Sequence, residues 1–267
     1  MASEVHVVGP QAGHKHTHTV IFLHGRDSTG EEFADELFES EVSVGYRNAG
    51  EDHRTLPALL PTMRWVFPTA RRLRSERFDT EMSQWFDMWS VESPEENLEL
   101  QIPGLKQSII DVLEVIRAEE ALLPRQNIFL AGISQGFATA LAAFFADGHG
   151  FAGLVGLCSW MPWTSVVESI PVSESDETVL GKVQAIYSAE LSVHPVTGLA
   201  TLKSTPVFLA HASDDEVVPV KNGKHMRDIL TDRLRLAVDF HEYAEGGHWL
   251  NEPQGVEDIV DFIIKHM

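Results

Sequence analysis

Short apolar runs alternate with segments of helical length along most of this chain, and this alternation limits the possible folds more than any other feature. Buried strands are predicted at residues 19–23, 65–67, 127–133, 151–158 and 206–210, and a strand nearer an edge at 236–243. Helices are predicted at residues 31–38, 105–123, 134–146, 220–234 and 254–266, with Pro103 as an early residue of the second. Strands separated by helices pair in parallel through right-handed crossovers. The sequence therefore predicts an α/β fold, with a mostly parallel central sheet and helices on both faces.

The length of 267 residues suits one domain of this kind, so we expect a single domain over residues 1–267. Two stretches interrupt the alternation. Residues 70–103 are loop-rich, and residues 162–205 form an unusually long connection with a helix predicted around 178–189. The long connection has two interpretations that the sequence does not separate. It is a functional element, such as a lid, a binding element or an oligomer contact, or it is an insertion tolerated at the surface.

Charge and cysteine content limit the partners and the compartment. Acidic residues outnumber basic ones by 40 to 20, which gives a formal net charge of −20. This charge repels nucleic-acid phosphates and anionic lipid surfaces, so no nucleic-acid partner is expected. We expect no signal peptide and no membrane insertion, because the N-terminus lacks a signal pattern and no apolar stretch approaches transmembrane length. The single cysteine, Cys158, lies in a predicted buried strand as an inert thiol, which is compatible with a cytoplasmic protein.

The pentapeptide Gly132-Ile133-Ser134-Gln135-Gly136 has the G-x-S-x-G pattern of a serine nucleophile. So short a pattern also arises by chance in loops, but here it lies between a predicted buried strand and a predicted helix, which is the context that the chemistry requires. The glycines are needed because a Cβ at either position would crowd the neighbouring backbone at so tight a turn. The turn also places the Ser134 hydroxyl near a helix N-terminus, whose dipole favours developing negative charge. We therefore predict that Ser134 is a catalytic nucleophile.

A serine hydroxyl needs a general base at neutral pH, and in folds with this motif the chain order is serine, acid, histidine. His248 is the predicted base because it lies in a loop just after the last predicted strand. The other late histidines fall within predicted helices or a strand: His225, His241 and His266. Asp215 is the predicted acid, since it follows the strand at 206–210 and its carboxylate could fix the tautomer of the imidazole. Spacing alone separates it poorly from Asp214, whose ordinary role would be a solvated loop charge.

Two backbone N–H groups would complete the site as an oxyanion hole. Gln135 supplies the first because it follows the nucleophile, and Arg26, in the loop after the first buried strand, supplies the second. Gly25 allows close approach of the backbone there, and His24 is expected to form structural hydrogen bonds. The Arg26 side chain is expected to be solvated, although it could contact an acidic leaving group.

Three alternating histidines near the N-terminus, His14, His16 and His18, could chelate a metal adventitiously. A solvated entry to the first strand is the simpler interpretation of this segment. The sequence therefore predicts no functional metal site.

Taken together, these residues resemble the acyl-protein thioesterase and lysophospholipase group of α/β-hydrolases, also called the phospholipase/carboxylesterase family. The resemblance covers nearly the whole chain, and the Ser-Gln pair and a Trp-Phe-Asp tripeptide make it more specific than G-x-S-x-G alone. Besides the pentapeptide it is carried by Phe22-Leu23-His24-Gly25, Asp27-Ser28-Thr29-Gly30, Trp85-Phe86-Asp87, His211-Ala212-Ser213-Asp214-Asp215, Val218-Pro219 and Gly247-His248.

The resemblance implies a single-domain α/β-hydrolase that cleaves acyl esters or thioesters without a cofactor, with Asp215 rather than Asp214 as the acid. It also implies that Trp85 and Phe86 lie beside an acyl channel, and it permits a homodimer. Three departures distinguish this chain. Phe137 stands where the family usually has a second glycine, Ala212 replaces a usual glycine, and the connection at 162–205 is longer. Because each is near the expected site or its rim, Phe137 joins the candidates for substrate contact.

We therefore expect a serine hydrolase that acts through an acyl-Ser134 intermediate on a small-molecule ester or on an acylated protein or lipid. A carboxylesterase for small or specialised metabolite esters is the alternative within this class, because the surrounding loops choose the substrate while the triad keeps the reaction. From another class, the chain could be a hydrolase-fold binding protein without turnover, which is less consistent with three occupied triad positions.

Overall fold

Six of the seven strands in the central sheet run parallel, which confirms the predicted fold class. The computed structural model describes residues 4–50, 53–171, 173–191 and 200–267. In chain order the strands are β1 (Val5–Val8), β2 (His18–Leu23), β3 (Met63–Pro68), β4 (Arg72–Ser75), β5 (Thr80–Ser83), β6 (Ile128–Ile133), β7 (Gly153–Leu157), β8 (Val207–Ala212) and β9 (Val238–Tyr243). The sheet order is β1-β3-β2-β6-β7-β8-β9, with β1 as an antiparallel edge strand, while β4 and β5 form a separate antiparallel hairpin.

The helices fill the segments between these strands. They are α1 (Gly30–Glu39), α2 (Leu56–Leu59), α3 (Gln101–Glu120), α4 (Gln135–Asp147), α5 (Thr164–Glu168), α6 (Asp176–Ser188), α7 (Ala200–Lys203), α8 (Val220–Asp228) and α9 (Gln254–Lys265). Helix α8 continues into a π-helical turn, Ile229–Arg233. Across the described parts of the chain, none of these helices combines the length and apolarity needed to cross a bilayer.

Apolar side chains cover both faces of the sheet, which explains why its strands appear as continuous apolar runs. Alternate residues of β2 point to opposite faces, so Ile21 packs beneath α3 and α4 while Phe22 packs beneath α1 and α9. Helix α4 lies between α3 and α6, and every one of its residues is buried. The pentapeptide at residues 132–136 therefore leads into a helix that packing holds on all sides.

Part of the long connection at 162–205 serves as the crossover between β7 and β8. Its helix α6 lies close to the expected position and packs against α4, with Tyr187 fully buried and its hydroxyl donating to the Pro162 carbonyl. Glu95, from the loop before α3, accepts hydrogen bonds from the backbone N–H groups of Thr164 and Ser165 at 3.0 and 3.1 Å. Residues 172 and 192–199 of this connection lie outside the described residues.

Two β elements were not predicted, and neither were the short helices α2, α5 and α7. Strand β1 is short and lies at the sheet edge, and the β4–β5 hairpin falls within the stretch expected to be loop. Both lack a continuous apolar run, because much of each faces solvent.

Candidate active site

Ser134 lies at the sharp turn between β6 and α4. Its backbone dihedral angles, φ 55° and ψ −127°, fall in a region that costs a non-glycine residue about 1–3 kcal/mol. The surrounding structure holds this geometry through hydrogen bonds from the Ser134 N–H to the Leu157 carbonyl at 2.8 Å and from the Ser159 hydroxyl to the Ser134 carbonyl at 2.7 Å. The serine is therefore fixed in a strained conformation by strand β7 and the residues after it.

The two glycines of the pentapeptide are needed for close packing. A Cβ at Gly132 would lie 2.4 Å from the Phe137 nitrogen, and a Cβ at Gly136 would lie 2.3 Å from the Leu23 carbonyl oxygen. Both contacts are with backbone atoms, which cannot move aside as a flexible side chain could. Any larger residue would therefore push α4 away from the sheet, as expected from the sequence.

Asp215 and His248 form a hydrogen-bonded pair beside this turn. The Asp215 Oδ2 atom accepts from His248 Nδ1 at 2.8 Å, and Oδ1 accepts from the N–H groups of Val217 and Val218, both at 2.8 Å. Burial raises the pKa of the Asp215 carboxyl, but hydrogen bonds from His211 and His248 outweigh burial and hold that pKa well below its usual range. The carboxylate is therefore ionised at neutral pH and faces the imidazole edge opposite Nε2.

Asp214 has a different role from its neighbour. Its Oδ1 atom accepts from the Gly247 N–H at 2.8 Å, so it anchors the loop that carries His248 and does not bind the imidazole. The solvated loop charge expected for Asp214 thus has a specific backbone partner.

Cys158 lies beneath the same loop, with Sγ 3.4 Å from the Trp249 carbonyl oxygen. It is buried as predicted, and burial raises the pKa of its thiol. Atoms of Cys158, Asp215 and His248 that could bind a metal lie within 4.8 Å of one another. A metal there would have to displace the hydrogen bond between Asp215 and His248 and deprotonate a buried thiol, so we assign no metal to this group.

The N-terminal histidines do not converge on a site. His14 is exposed and His16 Nε2 contacts the Thr19 hydroxyl at 2.9 Å. The expected solvated entry to the strand is wrong for His18, which begins β2 and is buried against the Phe129 ring with a centroid distance of 6.4 Å.

The ring of His24 fixes the orientation of the following peptide. His24 Nε2 accepts from the Ala70 N–H at 2.9 Å, so the neutral ring carries its proton on Nδ1, which donates to the Gly25 carbonyl at 2.5 Å. Burial lowers the pKa of His24 to about 4, in agreement with a neutral ring. In a trans peptide the N–H points opposite to the carbonyl, so holding the Gly25 oxygen also directs the Arg26 N–H. The structural hydrogen bonds expected for His24 are present.

The backbone N–H groups of Arg26 and Gln135 have no acceptor among the residues that the structure describes. Both residues line one cavity of about 240 Å³ that also includes Ser134 and His248. The remaining lining residues are Gly25, Ser28, Phe33, Glu36, Met88, Val91, Ile133, Val217 and Trp249. Two unpaired donors thus flank the serine, an arrangement suited to stabilising a developing oxyanion.

The structure corrects the three expected substrate contacts. Trp85, Phe86 and Phe137 are almost completely buried and none lines this cavity. The Gln135 side chain instead binds the backbone of the first two, accepting from the Trp85 N–H at 2.9 Å and donating to the Phe86 carbonyl at 2.8 Å. Phe137 packs against Gly156, where a Cβ would lie 2.4 Å from its ring.

The apolar wall of the cavity comes from residues that the sequence analysis did not single out. Met88 and Val91 follow the Trp-Phe-Asp tripeptide, and Val217 follows Asp215. Their signal in the sequence was proximity to the recognised motifs, but nothing in the local pattern separated them from residues of the core.

Two protein-family models match this chain. The phospholipase/carboxylesterase family model matches residues 5–181, and the prolyl oligopeptidase family model matches residues 106–267, a range that includes Ser134, Asp215 and His248. Acyl-protein thioesterase 1 of Yarrowia lipolytica is 28% identical over 251 residues, covering 93% of this chain and 90% of that protein. The protein of the same name from Cryptococcus neoformans is 24% identical over 264 residues, covering 94% and 92%.

The fold is shared with solved structures as well. The crystal structure of acyl-protein thioesterase 2 of Zea mays matches with a TM-score of 0.67 and 23% identity, and the match covers 99% of both chains. Since the first family model also spans the nucleophile turn and most of the sheet, the chain belongs to the phospholipase/carboxylesterase family.

Proposed function

We propose that this protein is a serine hydrolase that cleaves acyl esters or thioesters, with Ser134 as nucleophile, His248 as general base and Asp215 as the residue that orients the base. One observation carries the proposal. A serine in a strained strand-to-helix turn and an imidazole hydrogen-bonded to a buried carboxylate line the same cavity, together with two unpaired N–H groups. Membership of the phospholipase/carboxylesterase family supports it.

The reaction would proceed in two halves. His248 Nε2 takes the Ser134 hydroxyl proton as Oγ attacks the acyl carbonyl carbon, and the N–H groups of Arg26 and Gln135 bind the resulting oxyanion. His248 then gives the proton to the oxygen or sulfur of the leaving group, which departs and leaves acyl-Ser134. A water that His248 deprotonates attacks this ester, and its collapse releases the carboxylic acid and restores the serine. Asp215 keeps the proton on Nδ1 and stabilises the imidazolium in both halves.

The substrate class follows from relatives and from the cavity. The relatives named as acyl-protein thioesterases support an acylated protein as substrate, and the phospholipase/carboxylesterase family model supports an acylated lipid. The cavity volume of about 240 Å³ supports a second candidate, a carboxylesterase for small esters, since pockets for drug-sized ligands occupy roughly 300–1,000 Å³. Its apolar wall of Met88, Val91 and Val217 would hold the acyl group in either case.

The test is hydrolysis of p-nitrophenyl esters from acetate to palmitate, alongside matched acyl thioesters, by the wild type and by Ser134→Ala. We expect serine-dependent turnover, and the chain-length optimum separates the two candidates. Long chains or thioesters favour the thioesterase, and acetate or butyrate favours the carboxylesterase. A folded wild type that shows no turnover and is not labelled at Ser134 by a fluorophosphonate would instead support a binding protein without catalysis.

We further propose that the protein works in the cytoplasm as one domain over residues 1–267, with a homodimer permitted by its family. The free, buried Cys158 is compatible with a reducing compartment. Sedimentation of the purified chain at several concentrations would test the dimer. A lid role for residues 162–205 is tested by measuring the ester series with the wild type and with Glu95→Gln. This substitution weakens the hydrogen bonds that anchor α5, so it should change the activity if the segment acts as a lid.

A further inference from the structure

Arg26 is one of the residues that line the catalytic cavity, and its side chain packs against a neighbouring aromatic ring and is not freely solvated. It is partly buried, and its guanidinium carbon lies 5.3 Å from the centre of the Phe78 ring. Phe78 stands at the tip of the β4–β5 hairpin, and the Arg77 guanidinium lies 5.4 Å from the same ring. A hydrogen bond of 2.7 Å from the Asp27 N–H to the Ser83 carbonyl ties this loop to the hairpin. The hairpin therefore supports the cationic side chain of a residue that lines the same cavity as Ser134.

This cation has no counter-charge in contact with it. Among the described residues no carboxylate oxygen lies within 4.0 Å of the Arg26 guanidinium nitrogens, and no acceptor hydrogen-bonds to them. Glu36, the exposed carboxylate that also lines the cavity, is among the groups that do not reach it. Burial, followed by repulsion from Arg77, lowers the pKa of Arg26, while Asp27 and Asp87 raise it, and the group stays charged at neutral pH.

The other partly buried arginines differ from Arg26, because their guanidinium groups have acceptors within the protein. Each of them in the described part of the chain binds an acceptor: Arg54, Arg64, Arg71, Arg125 and Arg227 bind carboxylates, and Arg233 binds backbone carbonyls. With 40 acidic residues against 20 basic ones, partners are abundant in this chain. A partly buried arginine that has no acceptor among the described residues, and that lines the same cavity as Ser134, is suited to bind an anion from outside the chain.

We propose that Arg26 is a specificity-determining residue that selects substrates with an anionic group, a carboxylate or a phosphate, close to the scissile carbonyl. This inference rests on the proposed function, because it assigns a substrate class to the same site. The Arg26 N–H is proposed to bind the oxyanion, so its side chain begins beside the reacting carbon. The apolar lining of the cavity, with Met88 and Val91, takes the uncharged part of the substrate.

Two matched pairs of substrates test the proposal and locate the anion. Mono-p-nitrophenyl glutarate against p-nitrophenyl pentanoate places a carboxylate on the acyl side. Butyrylglycerol 3-phosphate against butyrylglycerol places a phosphate on the leaving side. The readout is the ratio of kcat/KM within each pair, in which any change common to both members cancels. In one pair, we expect the kcat/KM of the wild type to be about tenfold higher for the anionic member than for the neutral one. This is the effect that one hydrogen bond to a charged group would produce.

The variants assign this preference to one side chain. Arg26→Met removes the charge but keeps a long side chain, so the preference for the anionic substrate should disappear and the ratio should fall to about 1. Arg26→Lys keeps the charge and should keep part of the preference. Arg77→Met, the matched control, removes a nearby charge that does not line the cavity and should change the ratio less than threefold. In the wild type alone, raising the salt concentration should lower the ratio.

The outcomes separate this inference from the proposed function. If Ser134→Ala retains turnover of both pairs, the proposed function fails. If turnover depends on Ser134 but the wild type prefers the neutral member in both pairs, or Arg26→Met leaves the ratio within twofold, the anion site alone is overturned.

Discussion

Replacement of His24 by glutamine should remove a large part of the acid sensitivity of this protein. The His24 ring is fully buried and neutral, with a pKa lowered by burial from 6.5 to about 4. In the unfolded chain the same ring takes up a proton near pH 6.5. The folded state thus binds fewer protons than the unfolded state between these values, so the free energy of unfolding falls as the pH is lowered.

The size of the effect follows from the two pKa values. At 1.36 kcal/mol per pKa unit, the wild type should lose about 3 kcal/mol of unfolding free energy between pH 6.5 and 4, and about 2 kcal/mol of this between pH 7 and 5. The contribution is complete above pH 6.5 and lost as the pH falls toward the folded pKa. In His24→Gln an amide can still accept from Ala70 and donate to Gly25 but does not titrate, so this part of the pH dependence disappears.

Urea unfolding followed by tryptophan fluorescence, at pH 7 and at pH 5, measures the difference. Other acidic and histidine groups titrate in both proteins and cancel when the two pH dependences are subtracted. His24→Gln should lose about 2 kcal/mol less than the wild type between the two pH values. Equal losses, within about 0.5 kcal/mol, would show that His24 is protonated in the folded state or solvated, and the assignment of its tautomer would be wrong.

Three further changes test other parts of the site. Asp215→Asn should lower kcat on the order of 10⁴-fold while leaving the fold intact, because an amide would favour the wrong tautomer of His248; an ester assay with circular dichroism checks both. Gly156→Ala should lower the free energy of unfolding by about 1–3 kcal/mol in urea, and Phe137→Leu should restore part of it, since the three atoms nearest to the new Cβ all belong to the Phe137 ring. Gln135→Ala should lower the free energy of unfolding by roughly 2–6 kcal/mol in the same measurement, because it leaves two buried backbone groups unpaired. Replacement of an exposed glutamine, Gln11→Ala, should leave this free energy almost unchanged.

The turn at Ser134 could be predicted because the G-x-S-x-G spacing, between an apolar run and a helical pattern, is itself a sequence signal. The contact that requires Gly132 is local, with the backbone of Gly136 and Phe137, whereas the contact that requires Gly136 is with Leu23 and His24 on a neighbouring strand. The buried strands were equally clear, since a strand covered on both faces has no polar positions to interrupt its apolar run. His248 could be proposed as the base because the expected order of serine, acid and histidine left one histidine in a loop.

Other features depend on contacts that sequence spacing does not encode. Which of Asp214 and Asp215 faces the imidazole is decided by the turn after β8, where the N–H groups of Val217 and Val218 bind one carboxylate and Gly247 binds the other. The β4–β5 hairpin has polar, exposed residues and therefore no apolar signal. The state of the Arg26 side chain depends on this hairpin, so it could not be predicted without it.

The same contacts explain why the family motifs occur together, although they lie far apart in the chain. The Gln135 side chain binds the backbone of Trp85 and Phe86, and the Trp85 indole donates to the His24 carbonyl at 2.8 Å. The His24 ring in turn holds the Gly25 carbonyl, which orients the N–H of the next residue. The two proposed oxyanion donors are therefore connected through one continuous series of buried hydrogen bonds. Such donors stabilise a developing charge best when their positions are fixed beforehand, so we expect Trp85 and Phe86 to serve the reaction by holding both donors, without contacting the substrate.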